Sequence, residues 1–406
     1  MQCGLLGEKL GHSYSPQIHS FLADYAYDLF EVPPDKLEQF LNSDVVAAIN
    51  VTIPYKKAVI PYLSELTPRA KALGAVNTIV RKPDGTLLGH NTDYFGFSYM
   101  IDKSGLSVTG KKILVLGSGG ASVTAVAVLR DLGADVIVIS RSGKDNYETV
   151  YNHLDTAVIV NATPVGMYPH NGVSPIDLAR FPALEGVLDM IYNPARTQLL
   201  LDAEKLGLVA ENGLWMLIAQ AKESANWFTG TEISNDLIAT IHSALSKQMQ
   251  NIVLIGMPGS GKSTVGRVLA EKTGRAFIDA DEAIIQYAGK SIPEIFQESG
   301  ETGFRVIETE VLSQLGKQSG LVIATGGGCV TQEDNYPLLH QNGRIFWIKR
   351  DISQLPKDSR PLSLKGSLEQ MYQIRKPMYT RFADCIVENN SPETTVNTIL
   401  ALEEQV

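Results

Sequence analysis

The sequence predicts an α/β protein in three parts: a discontinuous α/β domain, a second α/β domain inserted into it, and a third α/β domain that follows both. Apolar runs typical of strands alternate with helical stretches along the chain, and two glycine-rich turns each follow such a run, one near residue 117 and one near residue 256. The 406 residues, 44% of them hydrophobic, are enough for two or three ordinary domains with buried cores.

Charge and composition exclude several classes of protein. The net charge of −9 argues against a nucleic-acid partner, and three scattered cysteines do not make a disulfide framework. The first residues do not read as a signal peptide, and no run approaches the roughly 18 apolar residues that a membrane span requires. We therefore expect a cytoplasmic enzyme that acts on small anionic molecules, has no nucleic-acid or membrane partner, and is compatible with a homo-oligomer.

The first domain is predicted from two strands within residues 1–95 and from a helix much later in the chain. Val45 to Val51 and Thr78 to Val80 read as strands separated by helical stretches. Residues 213–228 read as a helix without a strand nearby, so we expect it to return and pack on the first layer. Residues 1–95 and 213–248 are therefore assigned to one discontinuous substrate-binding domain.

The second domain, residues 96–212, is predicted to be a Rossmann domain. A strand at Ile113–Leu116 and another at Val136–Ile139 flank a helical stretch, which predicts parallel pairing with a right-handed crossover. Gly117-x-Gly119-x-x-Ser122 matches the dinucleotide fingerprint with serine in place of the third glycine, and such a turn lets backbone N–H groups approach a pyrophosphate. A turn that serves packing alone stays the alternative.

The end of the second strand favours NADP over NAD. An NAD site uses an acidic residue there, whereas this chain has Arg141, which suits a 2′-phosphate. A solvated basic turn is the alternative. The predicted cofactor-binding residues of the two turns are Gly117, Ser118, Gly119, Gly120, Ala121, Ser140, Arg141 and Ser142.

The third domain, residues 249–406, is predicted to be a P-loop domain that binds the phosphates of a nucleotide. Gly256-Met-Pro-Gly-Ser-Gly-Lys-Ser263 fills each fixed position of the phosphate-binding pattern and follows the apolar run 251–255. We expect Lys262 to hold the β and γ phosphates of ATP and Ser263 to bind Mg²⁺. The predicted ATP-binding residues of the loop are Gly259, Ser260, Gly261, Lys262, Ser263 and Thr264.

Residues 1 to about 245 resemble shikimate dehydrogenase. The segments that carry the resemblance include His12-Ser-Tyr-Ser-Pro16, Asn50-Val-Thr-Ile-Pro-Tyr-Lys56, Gly74-Ala-Val-Asn77-Thr and His90-Asn-Thr-Asp93. The resemblance implies that Ser13 and Ser15 hold a substrate carboxylate with Tyr192 nearby. It implies that Lys56 is the catalytic lysine, that ring hydroxyls are bound by Thr52, Asn77, Asp93 and Gln220, and that the nicotinamide is bordered by Met190 and Gly213.

The chemistry of the residues agrees with that implication. Reduction of a ketone needs a proton for the forming alkoxide, and a partly desolvated Lys56 beside Asp93 can supply it. A surface ion pair is the alternative for these two residues. For Ser13 and Ser15 the alternative is a helix N-cap ahead of Pro16, which does not exclude binding.

Residues 250 to about 400 resemble shikimate kinase through Phe277-Ile-Asp-Ala-Asp281, Gly303-Phe-Arg-Val-Ile-Glu308, Gly326-Gly-Gly328, Ser359-Arg-Pro-Leu362 and Arg375-Lys-Pro-Met-Tyr379. The resemblance implies that Asp279 organises Mg²⁺ through water and that Asp281 is the base or orienter of the attacking hydroxyl. It implies that the acceptor is held by Arg305, Gly327 and Arg375, and that Arg360 reaches the ATP phosphates from a lid. Helix capping by the aspartates and a surface pair between Arg305 and Glu308 are the alternatives.

The sequence therefore predicts NADPH-dependent reduction of 3-dehydroshikimate in one half and ATP-dependent 3-phosphorylation of shikimate in the other. Two departures stand out: the loop after Arg141 is short, and residues 353–359 lack an arginine expected to stack on adenine. One alternative is an NAD-dependent, quinate-type dehydrogenase joined to a kinase of another acceptor, such as a gluconate kinase relative. The other is that one half is a regulatory module that senses shikimate without catalysis.

Overall fold

The chain is described by a computed structural model that covers residues 1–11, 13–43, 45, 47–355 and 368–404. It forms two compact units. The first comprises Met1–Val165, Ser174–Tyr192 and Leu199–Ser243, and the second comprises Gly166–Val173, Asn193–Gln198 and Ala244–Val406. The division into three domains, with boundaries after residues 95, 212 and 248, stays a prediction.

The first unit begins with a mixed sheet. Its strands are β1 (Gln2–Gly7), β2 (Ala26–Glu31), β3 (Ala48–Val51), β4 (Glu65–Leu66), β5 (Thr78–Arg81) and β6 (Leu87–His90), in the order β2-β1-β3-β5-β6-β4. β1 pairs in parallel with β2 and β3, whereas β5 is antiparallel to β3 and β6. The predicted strand from Val45 begins only at Ala48, although the Ala47 N–H already donates to the Gln2 carbonyl at 2.9 Å. Helices α1 (Ser15–Leu22), α2 (Leu37–Leu41), α3 (Tyr55–Ala58), α4 (Pro68–Leu73) and α5 (Asp93–Ser104) belong to the same part of the chain.

The second sheet of this unit is parallel throughout. Its strands are β7 (Lys112–Leu116), β8 (Asp135–Ile139), β9 (Val158–Asn161), β10 (Gly186–Asp189) and β11 (Val209–Glu211), in the order β11-β10-β9-β7-β8. Its part of the chain contains helices α6 (Gly120–Asp131), α7 (Gln198–Lys205) and α8 (Leu214–Thr229), followed by α9 (Asp236–Met249), which begins in the first unit and ends in the second. The predicted βαβ arrangement is confirmed, because β7 and β8 pair in parallel on either side of α6 in sequence. The four apolar residues of β7 are fully buried, as expected for a parallel strand covered on both faces.

Helix α8 returns to the first sheet, as the sequence predicted for residues 213–228. It packs on α1, α5 and β5. The backbones of α5 and α8 approach closely at Gly96, where an added Cβ would lie 2.6 Å from the Met216 carbonyl oxygen. A side chain at this position would push the helices apart. The close approach brings the first turn of α5, with Asp93, toward the middle of α8, with Gln220.

A buried histidine of α1 predicts a pH-dependent stability. His19 is 1% exposed and stacks on Tyr27, with ring centroids 3.9 Å apart. Burial lowers its pKa to about 3, so the imidazole is neutral in the folded protein. The unfolded chain binds a proton as the pH falls through the ordinary histidine pKa, whereas the folded chain does not. This histidine should therefore lower the free energy of unfolding by up to about 1.4 kcal/mol per pH unit as the pH falls from 6.5 toward 3.

Urea unfolding of the full chain at pH 7, 6 and 5 measures this dependence. His19→Asn should reduce the slope of stability against pH, whatever it does to the stability at pH 7. His170→Asn is the control, because His170 is exposed and its replacement should leave the slope as it is. An unchanged slope in the His19 variant contradicts the prediction.

The second unit is built on a parallel sheet. Its strands are β12 (Asn251–Ile255), β13 (Ala276–Asp279), β14 (Leu321–Ala324), β15 (Gly343–Lys349) and β16 (Cys385–Glu388), in the order β13-β14-β12-β15-β16. The strands predicted at 251–255, 322–324 and 345–348 are all present. β12 lies at the centre and is almost wholly buried, so the phosphate-binding loop that follows it starts at the carboxyl edge of the sheet.

Six helices are described in this part of the chain: α10 (Lys262–Thr273), α11 (Ala280–Ala288), α12 (Ile292–Gly316), α13 (Asn335–His340), α14 (Leu368–Phe382) and α15 (Pro392–Glu403). α12 has 25 residues but is interrupted at Gly300, whose φ of 67° lies in the left-handed region. Within the described ranges, none of the helices has the length and apolar character needed to cross a bilayer.

Two candidate active sites

A shielded lysine–aspartate pair lies in the first unit. Lys56 belongs to α3, directly after β3, and Asp93 is the first residue of α5, after β6. Lys56 Nζ lies 2.6 Å from Asp93 Oδ2, and their side chains are 25% and 9% exposed. The alternative of an ordinary surface ion pair is therefore wrong for this pair, since water is largely excluded from the carboxylate.

Asn77 connects this pair to helix α8. Its Nδ2 donates to Asp93 Oδ1 at 2.9 Å and lies 3.4 Å from Gln220 Oε1. Its Oδ1 accepts the backbone N–H of Thr92 at 2.7 Å, which fixes the orientation of the amide. Four of the predicted site residues, Lys56, Asn77, Asp93 and Gln220, are thus linked by hydrogen bonds in this unit.

The two predicted carboxylate-binding serines form a separate group at the start of α1. Ser13 Oγ donates to Ser15 Oγ at 3.2 Å and accepts the Ser15 backbone N–H at 3.2 Å. The N-cap residue of the helix is Tyr14, which makes no side-chain capping hydrogen bond, so the only cap-like contact of the pair among the described residues is that of Ser13 with the N–H of the first helix residue. Tyr14 packs edge-to-face on Tyr192, with ring centroids 6.2 Å apart. Burial raises the pKa of Tyr192, so its hydroxyl stays protonated.

Thr52, the remaining predicted substrate residue of this unit, follows β3. Its backbone N–H donates to the Leu6 carbonyl at 2.9 Å, which holds the residue at the end of the first sheet. Its side chain is half-buried.

The glycine loop of the second sheet has the geometry of a dinucleotide turn. Gly117 has a φ of 106°, which favours glycine, and its N–H donates to the Ile139 carbonyl at 2.8 Å, so the ends of β7 and β8 are joined. An added Cβ at Gly119 or Gly120 would meet no atom within 4 Å, so the face of the loop at the start of α6 is open to a ligand. Ser122 takes the third glycine position and is buried, with its hydroxyl on the Gly117 carbonyl at 2.6 Å.

The other predicted cofactor residues lie at neighbouring strand ends. Arg141 is exposed directly after β8, between Ser140 and Ser142. Gly213 lies directly against the backbone of Met190, because an added Cβ would be 2.2 Å from the Met190 carbonyl oxygen. The predicted nicotinamide-bordering pair is therefore in direct contact, and the residues present fit a dinucleotide along the carboxyl edge of this sheet.

In the second unit, the phosphate-binding loop connects β12 to α10. Lys262 is 6% exposed, and its Nζ donates to the carbonyls of Gly256 and Met257 at 2.9 and 3.0 Å. Ser260 is held by Asn389, whose Nδ2 donates to the Ser260 carbonyl at 2.6 Å. The predicted residues Gly259 to Thr264 thus form the end of the loop and the first turn of α10. The Lys262 side chain lies back across the loop carbonyls.

The two predicted Mg²⁺ residues are in contact. Ser263 Oγ donates to Asp279 Oδ2 at 2.6 Å. Asp279 also caps α11 through the Asp281 N–H at 3.0 Å, so the capping alternative is present together with the contact to the loop. A hydroxyl and a carboxylate fit Mg²⁺, which takes one or two protein oxygens and completes its octahedron with water and phosphate oxygens.

The predicted acceptor-binding residues converge on the glycines 326–328. Arg375 Nη1 donates to the Gly327 carbonyl at 3.1 Å. An added Cβ at Gly328 would be 2.1 Å from Arg305 Nη2, and one at Gly326 would be 3.0 Å from Asp281 Oδ1. The glycines are needed because both polar side chains pass against the loop backbone.

Arg305 is not a surface residue. It is 6% exposed and its Nη1 donates to Glu308 at 2.6 Å, while Glu308 is itself fully buried. Burial alone would lower the pKa of the Arg305 guanidinium. The negative charges and hydrogen bonds of Glu308 and Glu301 have the larger combined effect, so the pKa is raised. The surface-pair alternative is therefore wrong. Glu308 was missed as a site residue; its spacing from Arg305 was the signal, and its burial could not be seen in the sequence.

A cavity of about 870 Å³ opens beside Arg305. Its wall includes Glu301, Thr302, Val306 and Thr331, but neither Lys262 nor Asp281. The cavity therefore touches only the arginine side of the candidate site. The predicted lid residue Arg360 lies outside the described residues.

Comparisons with known proteins match both halves of the chain. Residues 5–79 match the family model for the shikimate dehydrogenase substrate binding domain. The chain is 34% identical over 264 residues to the shikimate dehydrogenase (NADP(+)) of Clostridium perfringens SM101, covering 60% of this chain and 97% of the relative. The chain belongs to the shikimate dehydrogenase family. The enzyme of Caldicellulosiruptor bescii is 36% identical and is covered over 92% of its length.

Solved structures agree with this membership. A chorismate mutase/shikimate 5-dehydrogenase fusion protein from Clostridium acetobutylicum has a TM-score of 0.58 and 36% identity, covering 61% of this chain and 97% of that chain. The shikimate 5-dehydrogenase of Thermus thermophilus, solved with NADP(H) and shikimate, has a TM-score of 0.55 and 28% identity, covering 60% of this chain and 99% of that one.

This member of the shikimate dehydrogenase family carries a second enzyme region. Residues 258–403 match the family model for shikimate kinase. The match includes Lys262, the glycines 326–328 and both buried arginines. The predicted mixed architecture, a Rossmann-like dehydrogenase followed by a P-loop kinase, is confirmed.

Proposed function

We propose that the chain reduces 3-dehydroshikimate to shikimate with NADPH and phosphorylates shikimate to shikimate 3-phosphate with ATP. The observation that carries the proposal is the shielded Lys56–Asp93 pair, at 2.6 Å, within a unit whose relatives are shikimate dehydrogenases. The proposed kinase reaction is supported by Arg305 and Arg375, which both contact the loop of glycines 326–328. Two guanidinium groups at one place suit the binding of a carboxylate. One half would then make the substrate of the other.

In the first reaction the chain's own residues bind the ring and supply a proton. NADPH, when bound, supplies the hydride. Lys56 donates its Nζ proton to the oxygen of the ketone as that oxygen gains charge, and Asp93 holds the ammonium in position. The uncharged amides of Asn77 and Gln220 suit ring hydroxyls, since each can both donate and accept a hydrogen bond. Ser13, Ser15 and Tyr192 hold the carboxylate, and Thr52 contributes a further hydroxyl.

The choice of NADP rests on Arg141 and on the relatives. The exposed guanidinium after β8 can form a charge-assisted contact with a 2′-phosphate, and no acidic residue occupies the turn from Ser140 to Ser142. We expect Arg141→Asp to raise the KM for NADP⁺ by roughly tenfold or more and to lower that for NAD⁺. Steady-state kinetics with both cofactors measure this, and equal KM changes for the two contradict the assignment.

In the second reaction the residues orient the acceptor and stabilise charge. Arg305 and Arg375 hold the carboxylate of shikimate, with the backbone of Gly327 beside them. Asp281 accepts a hydrogen bond from the attacking hydroxyl. Lys262 would turn from the loop carbonyls to the β and γ phosphates. Ser263 and, through water, Asp279 would hold Mg²⁺, which would supply positive charge against the charge that develops during phosphoryl transfer. Arg360 is proposed to supply further charge.

The decisive experiment gives the purified full chain shikimate with NADP⁺, and separately shikimate with ATP and Mg²⁺. Formation of NADPH and release of ADP, each dependent on shikimate, are both expected. ADP release without NADPH identifies the first half as a sensor or as an enzyme of another substrate, and NAD⁺ with quinate separates those two outcomes. NADPH without ADP release directs the search to another acceptor, with gluconate as the first to test.

A further inference from the structure

Three buried hydroxyls lie behind the lysine–aspartate pair of the first unit. They belong to Thr78 in β5, Thr92 just before α5, and Ser224 in α8, and each residue is fully buried. Ser224 Oγ lies 2.9 Å from both threonine hydroxyls, and these lie 3.2 Å from each other. We call this group the hydroxyl triangle. It joins three elements that are far apart in the sequence.

Ser224 connects the triangle to two further groups. Its hydroxyl donates to the Gln220 carbonyl at 2.9 Å, one turn earlier in α8. It accepts Asn50 Nδ2 at 2.7 Å, and the orientation of that amide is fixed because Asn50 Oδ1 accepts the Tyr27 hydroxyl at 2.8 Å. A hydroxyl has one proton and two acceptor lone pairs, so a serine that gives its proton to the helix carbonyl and accepts the Asn50 amide can accept from only one threonine at a time.

This arrangement determines where the threonine protons can go. Each threonine hydroxyl can donate to Ser224, to the other threonine, or to Asn77 Oδ1, which lies 3.0 Å from Thr78 Oγ1 and 3.2 Å from Thr92 Oγ1. The Asn77 amide therefore contacts the triangle through both ends: its Oδ1 faces the two threonine hydroxyls, and its NH₂ group lies 2.9 Å from Thr92 Oγ1 as well as facing Asp93 and Gln220. Ser224 thus reaches the Asp93 carboxylate only through a threonine and Asn77, and it touches none of the reacting groups.

We infer that Ser224 is a positioning residue of the dehydrogenase site, which orients Asn77 through the triangle and anchors the turn of α8 that carries Gln220. It thereby sets the selectivity of the site for a ring that carries hydroxyls. The inference rests on the proposed dehydrogenase function. The chemistry supports it: without the Ser224 oxygen, Asn50 loses its shortest acceptor, and the two threonine hydroxyls have only Asn77 Oδ1 and each other as acceptors among the contacts described, in a region from which water is excluded.

Ser224→Ala tests the inference with the full chain. We expect kcat/KM for shikimate to fall about tenfold, since buried polar groups lose their partner. The fall should be much smaller for shikimate analogues that lack the 4- or 5-hydroxyl, so the preference for shikimate over at least one analogue should narrow. The KM for NADP⁺ and the kinase rate should not change. Thr78→Val removes a second hydroxyl of the triangle at nearly constant shape. It should also reduce the preference for shikimate over the analogues, and it replaces Ser224→Ala as the test if that variant does not fold.

Thr229→Val is the matched control. Thr229 lies in the same helix and donates to the Ala225 carbonyl at 2.9 Å, as Ser224 does to Gln220, but it makes no contact with the triangle. A fall in kcat/KM that is equal for shikimate and both analogues would show a merely structural role and overturn the inference, as would wild-type kinetics. If the wild-type chain does not oxidise shikimate at all, the proposed function fails and the inference with it, which is a separate and recognisable result.

Discussion

Replacing Lys56 by methionine is expected to lower the kcat of shikimate oxidation by about 10²–10⁴-fold, the usual contribution of a positioned acid or base. Methionine has a similar length and no ionisable group, so it keeps the packing of α3 and removes the proton carrier. The expected loss is large because Lys56 Nζ already lies 2.6 Å from Asp93 in a partly dry site, where water is a poor substitute. KM for shikimate should change less than kcat, since Asn77, Gln220 and the serines remain.

The neighbouring lysine provides the control for this experiment. Lys57 is exposed in the same short helix, and Lys57→Met should leave the oxidation of shikimate unchanged. The kinase reaction of each variant, measured on the same preparation, shows that the protein is intact and sets the active concentration. Oxidation of shikimate by the Lys56 variant at the wild-type rate would falsify the assignment of this lysine.

Features whose signal is local were predictable from the sequence. The strand, turn and helix around Gly117 follow directly in the chain, and so do those around Lys262, because a glycine turn between an apolar strand and a helix leaves few other conformations. The pairing of Lys56 with Asp93 was predicted only through the resemblance, since the two residues lie far apart in the sequence. The distance of 2.6 Å and the burial that separates this pair from a surface ion pair come from the fold.

Contacts that depend on three elements at once could not be predicted in this way. The hydroxyl triangle joins β5, the start of α5 and α8, and nothing near Ser224 in the sequence points to Thr78 or Thr92. The pair of Arg305 and Glu308 shows that even a local spacing does not reveal whether a pair is buried. Its spacing of three residues was visible, yet the same spacing occurs in exposed helices, and only packing against the glycines 326–328 buries it.

Replacing Asp281 by asparagine is the second change with a large expected effect. The carboxylate lies against Gly326, close enough that a Cβ there would be 3.0 Å from Oδ1, on the loop that also contacts Arg305 and Arg375. Asparagine keeps the shape and one acceptor oxygen but removes the charge. We expect the kcat of ADP release with shikimate to fall by about 10²-fold or more, with dehydrogenase activity unchanged. Glu282→Gln, at the next and largely exposed residue, should retain the kinase rate.

The size and the pH dependence of the remaining rate separate the two roles open to Asp281. If the carboxylate removes the proton of the attacking hydroxyl, the acidic limb of the kcat–pH profile depends on its ionisation, so the asparagine variant should lose that limb. If Asp281 only orients the hydroxyl, the amide oxygen can still accept the hydrogen bond, so a fall of less than about tenfold with an unchanged profile is expected. A wild-type rate with an unchanged profile contradicts both roles and would leave substrate positioning to Arg305, Gly327 and Arg375 alone.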